Sequence, residues 1–258
     1  MNLLAALLSL TLLALAGCRT LPPPVTPALD SPEAVLTRLK ARQLDVKTFE
    51  AKGRLTLMAP QRNVSGTGLL KASFPSSLRV DLLDLLGRAA LLFFSDGREV
   101  QVLFPRDGKL LQGDATPANL AAFLPPGVTL PQVLRLLTGS LPFSQDAAGR
   151  MRRETDAYVL EWLNPDGSLK ERLWVSVQEG TPVKLEWYET DGRLRFTAEL
   201  GDFGPLGPAQ PRTITVRTTQ PAVELRLTLR EMHRNVPVTE ADLALPRLPG
   251  VVTVPLGR

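Results

Sequence analysis

The segment VKTFEAKGRLTLM at residues 46–58 places Phe49, Ala51, Gly53, Leu55 and Leu57 on alternate positions, with Glu50, Lys52, Arg54 and Thr56 between them. A period of two belongs to a strand with one face buried and the other in water. Downstream the same habit returns in VSGTGLLKASF (64–74), LRVDLL (78–83), AALLFF (89–94), EVQVLF (99–104), AYVLEWL (157–163), ERLWVSV (171–177), VKLEWYE (183–189), LRFTAEL (194–200), TITVRT (213–218) and VELRLTLREM (223–232). Asp-Gly pairs begin at Asp96, Asp107, Asp166 and Asp191, between such runs, and supply the positive φ angles that tight hairpins need. Neighbouring strands are therefore expected to pair antiparallel.

Helical patterns interrupt this series in few places. Upstream, Ser31-Pro32-Glu33 puts a capping side chain before a proline, and Val35, Leu36 and Leu39 follow at helical spacing, predicting an amphipathic helix over 31–44. Between Thr116 and Gly139 two further helices are expected, PANLAAFL (117–124) and LPQVLRLLTG (130–139). In the second, Leu130, Val133, Leu134 and Leu137 form one apolar stripe, so this helix must lie against the sheet or an apolar ligand. No repeat or second domain boundary appears, and the expected class is mostly β with α.

The N-terminus reads as an export signal. Leu3 to Ala16 form an apolar run too short to span a bilayer, ending in Leu15-Ala16-Gly17-Cys18. Those four residues resemble the bacterial lipobox, which implies acylation of Cys18 and removal of residues 1–17. Cys18 is the only cysteine, so no internal disulfide can form. Arg19 stands where an Asp tends to retain Gram-negative lipoproteins at the inner membrane, implying the outer membrane. Residues 18–30 continue as a lipidated, proline-rich tether, TLPPPVTPALD from Thr20, and a single domain is expected over 31–258.

Lys and Arg total 30 against 26 Asp and Glu, and the small excess is dispersed, which argues against nucleic acid as a partner. No metal, cofactor or catalytic residue is expected. His233 is the only histidine, G-x-S-x-G and phosphate-binding loops are missing, and carboxylates such as Asp81 and Asp84 read as solvated loop residues. What remains is an abundance of aliphatic residues on strands and helices, which either pack as core or line a hollow for apolar ligands.

The order of segments resembles the Lol lipoprotein-localisation family of LolA-like carriers and LolB-like receptors. The resemblance lies in the opening helix followed by TFEAKGRLTL (48–57), in SLRVDLLDLLGRAALLFF (77–94) with Leu85-Leu86-Gly87 at a strand-to-strand loop, and in VTLPQVLRLLTGSLP (128–142). The closing LREMHRNVPVTEADLALPRLPGVVTVPL (229–256) is similar to the family's ending but longer than a minimal receptor needs.

The resemblance implies an open antiparallel β-barrel under a short helical lid, binding acyl chains of outer-membrane lipoproteins delivered by their periplasmic carrier. It implies transfer without chemistry; a monomer attached to the membrane through its N-terminal lipid is expected. Leu86 matches the family's membrane-entering leucine, with Leu85 where the pattern has Pro. Phe49, Leu55, Leu57, Leu134, Leu137 and Trp162, each on an apolar stripe, are the expected cavity lining. The competing expectations are an envelope lipoprotein that uses its sheet as a docking surface, and a hydrolase dependent on His233.

Overall fold

A computed structural model describes residues 31–257, apart from 43–44, 61, 122, 126–127, 142 and 144–148. The expected signal peptide, Cys18 and the expected tether lie outside the described residues.

Helix α1 (Pro32–Arg42) leads into strands β1 (Thr48–Ala59), β2 (Arg62–Ser73), β3 (Ser77–Leu83), β4 (Ala89–Ser95), β5 (Glu99–Phe104) and β6 (Lys109–Asp114). Two helices follow, α2 (Pro117–Leu120) and α3 (Leu130–Leu137). The chain continues through β7 (Arg150–Arg153), β8 (Ala157–Leu163), β9 (Leu169–Ser176), β10 (Pro182–Tyr188), β11 (Leu194–Gly204), β12 (Gly207–Thr219) and β13 (Ala222–Arg234). It ends with helix α4 (Glu240–Leu243) and strand β14 (Val252–Pro255).

All strands join one 14-stranded sheet in the order β14-β6-β5-β4-β3-β2-β1-β13-β12-β11-β10-β9-β8-β7. The outermost strands, β14 and β7, do not meet, so the barrel is open as expected. One ladder departs from the antiparallel expectation: β14 runs parallel to β6, because the chain crosses from β13 to the far edge before pairing.

The 46–58 alternation becomes the central strand. Phe49, Ala51 and Gly53 are buried on the inner face, while β2 flanks β1 on one side and β13 on the other. A bulge in the β1–β13 ladder falls between Lys52 and Gly53. A Cβ at Gly53 would come within 2.5 Å of the Thr228 carbonyl oxygen, so only glycine lets the strands approach here. Each Asp-Gly pair closes a hairpin, with Gly97, Gly108, Gly167 and Gly192 all at positive φ.

Helices α1 and α3 cover the inner face. In α1, Ala34 N–H donates to Ser31 Oγ at 3.2 Å, and Val35, Leu36 and Leu39 are buried. In α3, Thr129 and Gln132 form a reciprocal capping box, and Leu130, Val133, Leu134, Leu136 and Leu137 are buried. The helix expected over 117–124 is shorter, ending at Leu120, since the apolar Phe123 and Leu124 turn into the core rather than continue the helix.

After β13 the chain crosses the outer face. Lys71 pairs with Glu50 and Asp242, and Arg79 donates to the carbonyls of Asp242 and Ala244, tying α4 over β2 and β3. One sheet and one core hold the described residues together.

Candidate functional site

Between the sheet and its helical cover lies a cavity of ≈ 120 Å³. Its wall comes from inward-facing positions of six strands: Leu55 and Leu57 of β1, Val64 and Leu70 of β2, Leu78, Val80 and Leu82 of β3, Leu91 and Phe93 of β4, and Ile214, Val216, Leu225 and Leu227 of β12 and β13. The opposite side is Val133, Leu136 and Leu137 of α3 with Phe123, Leu124, Pro125 and Val128 before it. Every lining residue is apolar. Such a surface offers a ligand hydrophobic burial without directed hydrogen bonds, which suits hydrocarbon and gives no means to activate a reacting bond.

Several lining side chains are only half buried, among them Leu55, Leu57, Val64, Leu91 and Leu225. Leu57 stands opposite Val64 on one neighbour and Leu225 on the other, two residues before the end of β1. The wetted apolar surface is thus concentrated toward the end of the sheet that bears the β1–β2 and β12–β13 turns, and the cavity opens there.

The expected lining residues divide. Leu55, Leu57 and Leu137 line the cavity. Phe49 and Leu134 are fully buried in the core outside that lining, and Trp162 is buried against Phe143 with ring centroids 5.9 Å apart. All three are buried in the core, since an inward side chain packs as core wherever helix or loop lies directly over it. Val64 and Leu225 line the cavity as well, and their place beside Leu57 depends on strand register, which no single strand displays.

Leu85 and Leu86 form the tip of the β3–β4 turn and are 94% and 75% exposed. The turn is built on Asp84, whose Oδ1 accepts the N–H groups of Leu86 at 2.8 Å and Arg88 at 2.9 Å. Arg88 Nε donates to the other oxygen at 3.1 Å, and Arg106 of the β5–β6 turn donates to it as well. Gly87 takes φ +75°, completing the reversal. The Arg88 N–H foremost, with that of Leu86 and the Arg88 guanidinium, holds the Asp84 carboxyl down at about 2. Asp84 is more than the solvated loop carboxylate of the sequence reading: an Asp two residues before an exposed leucine and three before a Gly is an Asx-turn signal.

Elsewhere, His233 is exposed on β13, opposite Glu50 on the outer face and away from the cavity. Arg234 shares the inner face with Phe49; its Nη donates to Gln210 Oε1 at 2.5 Å, while its buried Nε has no partner among the described residues. Gln210 in turn donates to the Leu137 carbonyl at 3.0 Å, joining this cation to the end of α3. Among the described residues no group of three or more His, Cys, Asp or Glu is placed to hold a metal ion.

Solved structures share this architecture. A LolA superfamily protein from Nitrosomonas europaea aligns with TM-score 0.54 at 16% identity, covering 84% of this chain and 99% of its own. A candidate outer membrane lipoprotein-sorting protein domain from Vibrio parahaemolyticus aligns with TM-score 0.53 at 15% identity, covering 83% and 95%. A DUF1329 family protein from Desulfovibrio piger reaches TM-score 0.55 at 8% identity, covering 85% and 98%. No protein-family model matches the chain, and neither does any curated protein. At these identities the likeness shows the fold, an open β-barrel of LolA type.

Proposed function

We propose that this chain is a lipid-anchored envelope protein that takes the acyl chains of lipoproteins into its inner cavity and passes them to the outer membrane. The observation that supports this is the all-apolar cavity with half-buried leucines at its mouth. Each methylene of an entering chain removed from water contributes about 0.8 kcal/mol, and the chain covers leucines that otherwise face water. No bond is made or broken. The direction of transfer follows from the differential affinities of donor, cavity and bilayer.

The fold supports the same reading, since it is shared with a LolA superfamily protein and a candidate lipoprotein-sorting domain. In this reading residues 1–17 are the signal peptide, acylated Cys18 is the anchor, residues 18–30 are the tether, and the folded unit works as a monomer facing the periplasm. Leu85 and Leu86 enter the bilayer beside the cavity mouth. The partners are outer-membrane lipoproteins and the periplasmic carrier that presents them.

The test is uptake of a fluorescent fatty acid by the chain without residues 1–18. Saturable binding that is lost in Leu57→Glu and Leu137→Glu, with melting curves still cooperative, supports the cavity. Binding that survives both substitutions contradicts it, and no binding at all turns the reading toward a protein that docks partners on its outer face.

A further inference from the structure

The Leu85-Leu86 turn has a neighbour on the same rim. Arg106 reaches from the β5–β6 turn to Asp84, and in that same turn the Gly108 carbonyl accepts the Val252 N–H at 2.8 Å, where the C-terminal segment joins the sheet. A Cβ on Gly108 would sit 3.7 Å from the Gly250 carbonyl oxygen, so residues 250–252 lie directly against this turn. The rim therefore holds a second apolar point, Leu248 at 39% and Val252 at 65% exposed. Interleaved with these leucines and the valine are four exposed cations, Arg88, Arg106, Lys109 and Arg247, against two carboxylates, Asp84 and Asp107.

We propose that residues 247–252 form a second contact with an anionic lipid surface, so that the protein docks on the bilayer at two points. This rests on the reading that the Leu85-Leu86 turn meets the membrane. Apolar side chains flanked by excess positive charge match an interface of hydrocarbon beneath anionic headgroups. Two separated points also fix orientation, which one turn cannot do: they set the sheet end that carries the cavity mouth toward the bilayer. The long C-terminal crossing thereby gains a role beyond covering the edge of β6.

The experiment measures co-flotation of the chain without residues 1–18 with vesicles containing phosphatidylglycerol or only phosphatidylcholine, alongside fluorescent fatty acid uptake. The variant with Leu248→Ser and Val252→Ser is expected to bind phosphatidylglycerol vesicles roughly tenfold more weakly, with fatty acid uptake and melting temperature unchanged. Lys109→Gln with Arg247→Gln is expected to cost about fivefold per cation on the anionic vesicles and almost nothing on the neutral ones. Undiminished binding by the Leu248/Val252 variant, with binding lost in Leu85→Ser/Leu86→Ser, overturns the second contact and leaves one-point docking intact. Absence of vesicle binding by the unaltered chain overturns both membrane contacts, whereas loss of fatty acid uptake speaks against the cavity alone. A shift from dimer to monomer in the Leu248/Val252 variant would give this face to a second copy and overturn the lipid assignment.

Discussion

Asp84 holds Leu86 in place: its carboxylate accepts the Leu86 N–H at 2.8 Å, from two residues upstream. That bond, with the one from Arg88, gives the turn a fixed shape although Leu85 stands where the Lol pattern has Pro. Proline would restrict φ covalently, whereas here a charged acceptor restricts the backbone from outside. Asp84→Ala is expected to raise hydrogen exchange at the Leu86 and Arg88 amides by tenfold or more, leaving β1 and β13 protected. Unchanged exchange at those two amides would mean that the turn is held by something else.

The same carboxylate sets a pH dependence. Its pKa lies below the usual 3.8, at about 2, so its contribution to the turn is complete above pH 4 and is lost as pH falls toward 2. Carbonyl-carbon NMR of Asp84 should give a midpoint near 2, with Leu86 amide protection, corrected for intrinsic exchange, fading over the same interval. A midpoint at or above 3.8 would contradict the hydrogen-bonded turn.

Core and cavity separate on α3 and β1. Leu134 is fully buried, and Leu134→Ala is expected to cost about 2–5 kcal/mol, read as a lower urea midpoint. Leu57 is half exposed on the cavity wall, so Leu57→Glu should shift the midpoint by less while abolishing fatty acid uptake. Equal effects of the two substitutions on both readouts would erase the distinction.

How much of this was legible in the sequence follows from which signals are local. Alternation in 46–58 and the Asp-Gly pairs depend on neighbouring residues, so the antiparallel order through β1–β5 and β8–β13 could be read directly. Strands β6, β7 and β14 could not: KLLQGD lacks alternation, RMRR has one apolar residue, and VTVP is four residues ending in Pro. Each is formed by pairing with a strong neighbour rather than by its own preference. The site divided in the same way. The exposure of Leu85 and Leu86 follows from a turn written in consecutive residues, while the split between lining Leu137 and core Leu134, three positions apart on one helix, depends on what lies across from them.

Gly53 tests the sheet geometry. Because a Cβ there meets the Thr228 carbonyl at 2.5 Å, Gly53→Ala must displace β13 or β1. A loss of about 1–3 kcal/mol is expected in urea melts. Full stability would show that the bulge does not bring the strands this close.

Arg234 and Gln210 make a further pair for substitution. Gln210→Leu leaves the inner-face guanidinium and the Leu137 carbonyl without their partner and is expected to lower stability by about 1–3 kcal/mol. Arg234→Met removes the cation together with its unpartnered Nε, and the melting temperature should hold or rise. A large loss in Arg234→Met would show that its hydrogen bond to the buried Gln210 Oε1 outweighs the cost of burying the charge.

Whether the cavity holds acyl chains can be read by native mass spectrometry of the chain without residues 1–18, purified from cells and also after mixing with a triacylated lipoprotein. A bound species heavier by one acyl lipid or one lipoprotein is expected, and it should disappear in Leu57→Glu and Leu137→Glu. A bare mass under both conditions, or a bound mass that persists in those variants, would contradict the claim that the apolar cavity holds acyl chains.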